Sequence, residues 1–303
     1  MRALIPPPLR PGDRIGVVAP AGPVRRRDIA RGLAVLRERG FVVVPGAHLF
    51  DRRAYLAGTD RDRAADLNQM LADESIRAVW FARGGYGSHR IVEEIDFGPL
   101  RRRAKWLIGY SDVTVLQAAA WRRLGLASLQ GPMVTQLGER GAYDARSLWR
   151  ALSGDALEYA LPAHAVLRPG RAARAPIVGG CLSPLVGLLG TPYMPPTAGT
   201  ILFWEEVNEE PFRIDRMLAQ LRLAGMLRKL AGMIVGRLVG CRARRPGHQV
   251  ALARILSTHL EGTRYPVVID FPAGHCAGKK TLPLGREAVL DTTSRRLRFA
   301  ATR

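Results

Sequence analysis

The sequence predicts an α/β protein: an N-terminal domain built on a parallel sheet, then a C-terminal α+β domain of short strands. Two observations carry this. In the first half, short apolar runs alternate with stretches of helical period, the pattern of strands covered by helices on both faces. In the second half apolar runs dominate and only two helical patterns interrupt them. The 303 residues accommodate two domains at roughly 100–200 residues each, and the boundaries fall at 1–135, a linker at 136–174, and 175–303.

Arg14-Ile-Gly-Val-Val-Ala19 reads as a buried strand leaving through the turn Pro20-Ala-Gly22. Residues 28–39 follow as a helix with Ile29, Leu33 and Leu36 on one face, stopped by Gly40, and Phe41-Val-Val-Val44 is the next strand. Thr59 and Asp60 cap a second helix through Leu67 and Leu71. Residues 76–82 are strand-like and end at Arg83-Gly-Gly-Tyr-Gly87, after which 88–95 turn helical. Trp106-Leu-Ile-Gly-Tyr110 leads into Ser111 and a helix through Trp121. Beyond Pro132 the pattern changes: 143–153 form one helix, and the polar, Pro- and Arg-bearing stretch 154–174 is expected as linker with a strand or two. Strands follow at 201–204, 233–239, 266–270, 288–290 and 297–299, with helices at 211–223 and 248–259.

Composition excludes several classes. Apolar residues at 47% and charged residues at 24% fit a globular chain and not a disordered one. Cys181, Cys241 and Cys276 are too few and too scattered for a disulfide framework and make no CxxC pair, so they read as reduced thiols. Pro6, Pro7, Pro8 and Arg10 break any signal-peptide run near the start, and a cytoplasmic location is expected. The long uncharged stretch 175–204 carries too much Gly and Pro for a membrane span and is expected to hold buried turns and short elements. The formal charge of +20 invites polyphosphate binding. The arginines, however, come in short scattered clusters without a nucleic-acid-binding motif, so a nucleic-acid partner is not expected.

In open α/β sheets, active-site groups gather at the carboxyl ends of strands. Gly84-Gly85-Tyr86-Gly87 lies there, either as a cradle for an anion or as a tight turn; it lacks GxGxxG spacing. Gly109-Tyr110-Ser111-Asp112 is a strand-to-helix corner with a serine at its tip. It matches a nucleophile elbow in part, since Val113 replaces the second glycine, and Ser111 as a helix N-cap is the competing reading. A serine nucleophile needs a base and a carboxylate that orients the base. His48, His164, His248 and His259 read as surface groups and His89 as a residue able to approach the site. His275 stands on a loop leaving an apolar strand, and Glu205 closes the run Ile201-Leu-Phe-Trp204. Trp204 beside it alternates to the opposite face and reads as core.

Taken together, Gly12-Asp-Arg-Ile-Gly-Val-Val-Ala-Pro20, Ala82-Arg-Gly-Gly-Tyr-Gly87, Gly109-Tyr-Ser-Asp112 with Thr114, Gly179-Gly-Cys-Leu182, Leu202-Phe-Trp-Glu-Glu206, Phe212-Arg-Ile-Asp-Arg-Met-Leu218, and Gly274-His275 with Leu282-Pro-Leu-Gly285 resemble the LD-carboxypeptidase family of serine peptidases. The resemblance implies a flavodoxin-like first sheet and an active site between the two domains. In family terms Ser111 is the nucleophile, His275 the general base and Glu205 the residue that orients it. Asp112 and the Gly84-Gly85 loop would then supply oxyanion-hole N–H groups. The substrate it implies is a cytoplasmic muropeptide, a tetrapeptide losing its terminal D-Ala in peptidoglycan recycling, handled by a homodimer without metal or other cofactor. Arg83 and Arg213 are candidate contacts for substrate carboxylates. Some relatives instead hydrolyse peptide-nucleotide antibiotics of the microcin C type, and the loop Cys276-Ala-Gly-Lys-Lys-Thr281 leaves that choice open. A non-catalytic nucleotide- or nucleic-acid-binding module is the reading from another class.

Overall fold

The computed structural model describes residues 3–302. Through the first half β1 (Arg14–Val18), α1 (Arg26–Glu38), β2 (Val42–Pro45), α2 (Asp60–Ala72), β3 (Ile76–Phe81), α3 (Ser88–Ile91), β4 (Trp106–Gly109), α4 (Thr114–Leu124) and β5 (Ser128–Gln130) alternate. Next come α5 (Val134–Leu137), α6 (Ala145–Leu152), β6 (Leu157–Ala160), β7 (Val166–Arg168), β8 (Ala173–Cys181) and α7 (Leu182–Val186). The chain ends with β9 (Ile201–Val207), α8 (Pro211–Leu223), β10 (Gly232–Val239), α9 (Leu252–His259), β11 (Val267–Phe271), β12 (Leu282–Leu284), β13 (Glu287–Asp291) and β14 (Arg296–Phe299).

β1 to β5 pair in parallel in the order β2-β1-β3-β4-β5, with β12 added antiparallel to β5. This is the flavodoxin-like strand order, whose direction of winding reverses between β1 and β3 and opens a crevice at their carboxyl ends. The loops at 20–22 and 84–87 leave from those two ends. The second sheet has the order β6-β14-β13-β8-β9-β10-β11-β7. Its centre, β8 to β11, is parallel and its flanks are antiparallel.

Three features differ from the sequence reading. The strand or two expected within the linker 136–174 are β6 and β7, and they are not confined to a linker but form the two edges of the second sheet, while β12, not read as a strand, joins the first. Within 175–204, expected as turns and short elements, the chain continues β8, a nine-residue strand. Gly179 and Gly180 there mark close approach and not turns. A Cβ on Gly179 would lie 1.8 Å from the Phe203 carbonyl oxygen, and one on Gly180 would lie 2.5 Å from the Thr114 side chain. His259, expected at the surface, is buried. It lies one helical turn beyond Ile255 on the buried face of α9, where its Nε2 meets the Asp215 carboxylate of α8.

One buried cation ties a helix end to the first sheet. Lys105, immediately before β4, donates to the carbonyls of Met70, Leu71 and Asp73 at the end of α2, at 2.8, 2.7 and 2.6 Å. These are carbonyls left over by the helix ladder. Burial lowers the ammonium pKa to about 8. Lys105→Met should cost about 3 kcal/mol of stability by orphaning these acceptors, as read from the midpoint of urea unfolding. An unchanged midpoint contradicts the role.

Candidate active site

β4 delivers Gly109 and Tyr110 to a corner at which Ser111 takes φ +66°, a left-handed conformation uncommon outside glycine. A one-turn 3₁₀ helix, Ser111–Val113, then runs into α4. The sharp corner lifts the serine above the sheet end, as in a nucleophile elbow. Close packing explains Gly109: a Cβ there would sit 3.0 Å from both Met133 and Phe81.

The second sheet supplies the other two groups. Ser111 Oγ lies 3.1 Å from His275 Nε2, and His275 Nδ1 lies 2.7 Å from Glu205 Oε2. The same carboxylate oxygen accepts the His275 backbone N–H at 3.2 Å. A carboxylate acceptor assigns the imidazole proton to Nδ1 and leaves the Nε2 lone pair facing the serine. Glu205 is fully buried. Gly274, at φ +105°, makes room for it, since a Cβ would lie 2.4 Å from Oε2. Trp204 turns to the opposite face and is fully buried, as strand alternation requires.

The Gly-rich loop closes over the serine. A Cβ on Gly84 would lie 2.9 Å from Ser111 Cβ and 3.0 Å from its Oγ. The Gly84 carbonyl accepts the Gly22 N–H at 2.9 Å. Arg63, almost completely buried, donates Nη1 to the carbonyls of Pro20 and of Gly87, the latter at 3.0 Å. On the other side, the Asp112 carboxylate accepts the Ser88 N–H at 2.8 Å. Burial raises its pKa, opposed by that hydrogen bond.

The remaining expected residues are distributed around this centre. Arg83 is exposed beside the loop and donates to the Pro23 carbonyl at 3.0 Å. Arg213, exposed at the start of α8, lies 3.6 Å from Glu209. His89 meets the Pro184 carbonyl at 3.1 Å and does not join the serine. Cys276, next to the histidine, is buried, which raises its thiol pKa. For metal binding, Cys181, Glu205 and His275 present ligand atoms within 4.8 Å of one another. The histidine and glutamate are hydrogen-bonded to each other, and the thiol donates to Glu206 at 3.6 Å.

Sequence reasoning missed three supports. The Tyr110 ring packs edge-on against His275 at 4.8 Å between centroids, and its hydroxyl accepts from Gln136 at 2.9 Å. The Lys279 ammonium lies 5.4 Å from the centre of that ring and donates to Ala142 at 2.8 Å. Arg63 is the third. The corner motif contained Tyr110, but a contact to a residue 165 positions away leaves no local signal.

A two-sheet α/β fold with a hydrogen-bonded Ser–His–Glu chain at its strand ends has the arrangement of a serine hydrolase. The chain belongs to the LD-carboxypeptidase family: residues 15–131 match its N-terminal domain and residues 174–290 its C-terminal domain. It is 35% identical over 297 residues to a probable murein peptide carboxypeptidase of Bacillus subtilis, covering 96% of this chain and 92% of that one. Among solved structures, the muramoyltetrapeptide carboxypeptidase of Oxalobacter formigenes superposes with a TM-score of 0.84 at 28% identity, over 95% of this chain and 98% of that one. The wild-type microcin C7 self-immunity protein MccF superposes with a TM-score of 0.88 at 25% identity, over 99% of each chain.

The raised Asp112 pKa has a testable sign. A carboxyl whose folded pKa exceeds its unfolded value contributes stability below the unfolded pKa and loses it as pH rises through the folded one. Relative to Asp112→Asn, which does not titrate, the wild type should therefore be favoured more at pH 3.5 than at pH 7. Thermal melts of both proteins at the two pH values measure the difference, and an equal gap contradicts the assignment.

Proposed function

We propose that this chain is a serine carboxypeptidase that hydrolyses the L–D peptide bond to the terminal D-Ala of muropeptide tetrapeptides. The observation that carries the proposal is the continuous hydrogen-bonded chain Ser111–His275–Glu205 with the serine on a strained corner. The names of the matching carboxypeptidases support the substrate class.

In this reading Ser111 Oγ attacks the scissile carbonyl while His275 Nε2 takes its proton, and Glu205 stabilises the imidazolium that forms. The Asp112 N–H and those of Gly84 and Gly85 stabilise the tetrahedral oxyanion. The absence of a side chain at Gly84 lets its backbone come this close to the serine. Loss of one such donor costs about 2.7–4 kcal/mol of transition-state stabilisation. His275 then protonates the departing D-Ala amine, and a water activated by the same imidazole releases the shortened peptide from Ser111. Arg83 and Arg213 are the proposed contacts for substrate carboxylates; Arg83 has the better position, because it adjoins the Gly-rich loop and has no carboxylate partner among the described residues. A homodimer in the cytoplasm, as part of peptidoglycan recycling, completes the proposal. Among the described residues no helix is long and apolar enough to cross a membrane.

The second reading is hydrolysis of a peptide-nucleotide antibiotic, favoured by the full-length superposition on MccF. Release of free D-Ala from L-Ala-γ-D-Glu-diaminopimelyl-D-Ala separates the two. The wild type should release it, and Ser111→Ala, folded by circular dichroism, should fall by a factor on the order of 10³ or more. A folded wild type that spares the tetrapeptide and cleaves an aminoacyl-nucleotide establishes the second reading. A Ser111→Ala protein as active as the wild type excludes both. Arg83→Met should raise KM about tenfold with kcat nearly unchanged, the signature of a lost ground-state carboxylate contact. Arg213→Met is tested in the same assay, and an unchanged KM removes either arginine from the role.

A further inference from the structure

Two exposed tyrosines stand at the rim of the site without a partner in the reaction just described. Tyr86 follows Gly84 and Gly85 on the loop that covers Ser111 and is 48% exposed; Tyr55 is 61% exposed. Their rings pair at 5.9 Å with a tilt of 55°. Large aromatic side chains in the open, next to a reactive serine, mark a surface built for contact.

The backbone that presents them is rigid. Tyr55 is at the tip of a tight turn closed by two hydrogen bonds between Arg53 and Leu56, both 2.9 Å. The turn holds Ala54 at φ +53°, a strained conformation for a residue with a Cβ. Leu56 anchors it in the interior, and the Ala57 N–H bonds to the Ala21 carbonyl at 2.9 Å. Tyr86 is flanked by Gly85 at φ +113° and Gly87 at φ +143°, with the Gly87 carbonyl held by Arg63. Tyr86 therefore stands on the loop that covers the serine, and Tyr55 on a neighbouring turn bonded to Ala21 and paired with the Tyr86 ring.

Resting on the reading above, we propose that Tyr55 and Tyr86 form a carbohydrate platform that binds the sugar of a glycan-bearing muropeptide. The distances agree. In a tetrapeptide stem, three residues separate the scissile bond from the sugar, about 10 Å at 3.3–3.6 Å per extended residue. From Gly84, in contact with Ser111, two Cα steps of 3.80 Å reach Tyr86. Its ring then extends to on the order of 10 Å from the nucleophile. A sugar offers an apolar C–H face to such rings and leaves its hydroxyls in water, which suits half-exposed tyrosines. Exposed Arg83, on the same loop, faces a stem that carries free carboxylates along its length.

The test uses the full chain in the Ser111→Ala background, so that binding is read apart from turnover. Calorimetric titration compares N-acetylmuramoyl-tetrapeptide with the sugar-free tetrapeptide. The sugar-bearing ligand is expected to bind more tightly. Adding Tyr86→Ala or Tyr55→Ala should weaken it about tenfold and leave the sugar-free ligand unchanged. Tyr86→Phe and Tyr55→Phe should keep most of the affinity. Equal affinity of the Ser111→Ala protein for both ligands overturns the platform, as does an equal loss for both ligands in the tyrosine variants. If sugar-dependent binding is found but the wild type releases D-Ala from neither ligand, the platform stands and the hydrolytic reading falls.

Discussion

The site depends on one hydrogen bond that crosses between the two sheets. Ser111 follows β4 of the first sheet, Glu205 lies on β9 of the second, and His275 stands on the loop between β11 and β12. The 3.1 Å separation of Oγ and Nε2 is therefore a property of how the sheets are locked together. The loop carrying His275 supplies that lock, since it leaves β11 in the second sheet and ends in β12 in the first. It is fastened along its length. Lys279 bonds to the Ala142 carbonyl, Lys280 meets the Asp144 carboxylate, and the Thr281 N–H donates to Ser147 Oγ at 3.1 Å. His275 is thus mounted on a strap tied at both ends, which fixes the separation of its Nε2 from Ser111 Oγ.

Burial of acid follows strand alternation. Glu205 and Glu206 are consecutive on β9 and point to opposite faces, and both are buried. Glu205 goes to the histidine. Glu206 accepts the Ser183 N–H in the first turn of α7 and its own neighbour Val207 N–H, both at 2.8 Å, while burial raises its pKa. A pair of adjacent carboxylates is thus separated into one that holds His275 and one that caps a helix. Substitution of either by an apolar residue would leave different donors unmatched, so the two positions are not interchangeable.

The alternation of strand and helix was legible across the first half because apolar runs there lead through turns into helices, with Gly40 and Gly125 stopping α1 and α4. Ser111, His275 and Glu205 were legible as candidates because each closes such an element at a strand end. What sequence could not show was which glycines are turns and which are contacts. Gly179 and Gly180 look like loop residues, yet they sit within β8 because the Phe203 backbone and the Thr114 side chain approach too closely for a side chain there. β12 was missed for a related reason: three residues carry no periodicity, and its membership in the first sheet is decided by distant partners, Leu282 pairing with Gln130 and Leu284 with Ser128. Tyr110 and Arg63 act through contacts of the same long-range kind.

The arginine surplus has a structural component that composition alone conceals. Arg63 bonds to the carbonyls of Pro20 and Gly87, and Arg168 to those of Tyr265 and Thr263 at 3.0 Å each. Arg150 bonds to that of Ala156 at 2.8 Å, and Arg286 to that of Ala300. A guanidinium has five donors in a fixed plane and suits the joining of two chain segments whose carbonyls lack ladder partners. The donors of these arginines are spent on the protein's own carbonyls, so part of the formal +20 reflects fold construction and not a polyanion partner. The charge still contributes to the long-range field, which attracts anions toward the whole molecule. Arg83, beside the Gly-rich loop, differs from these arginines in being exposed, with a single carbonyl partner among the described residues.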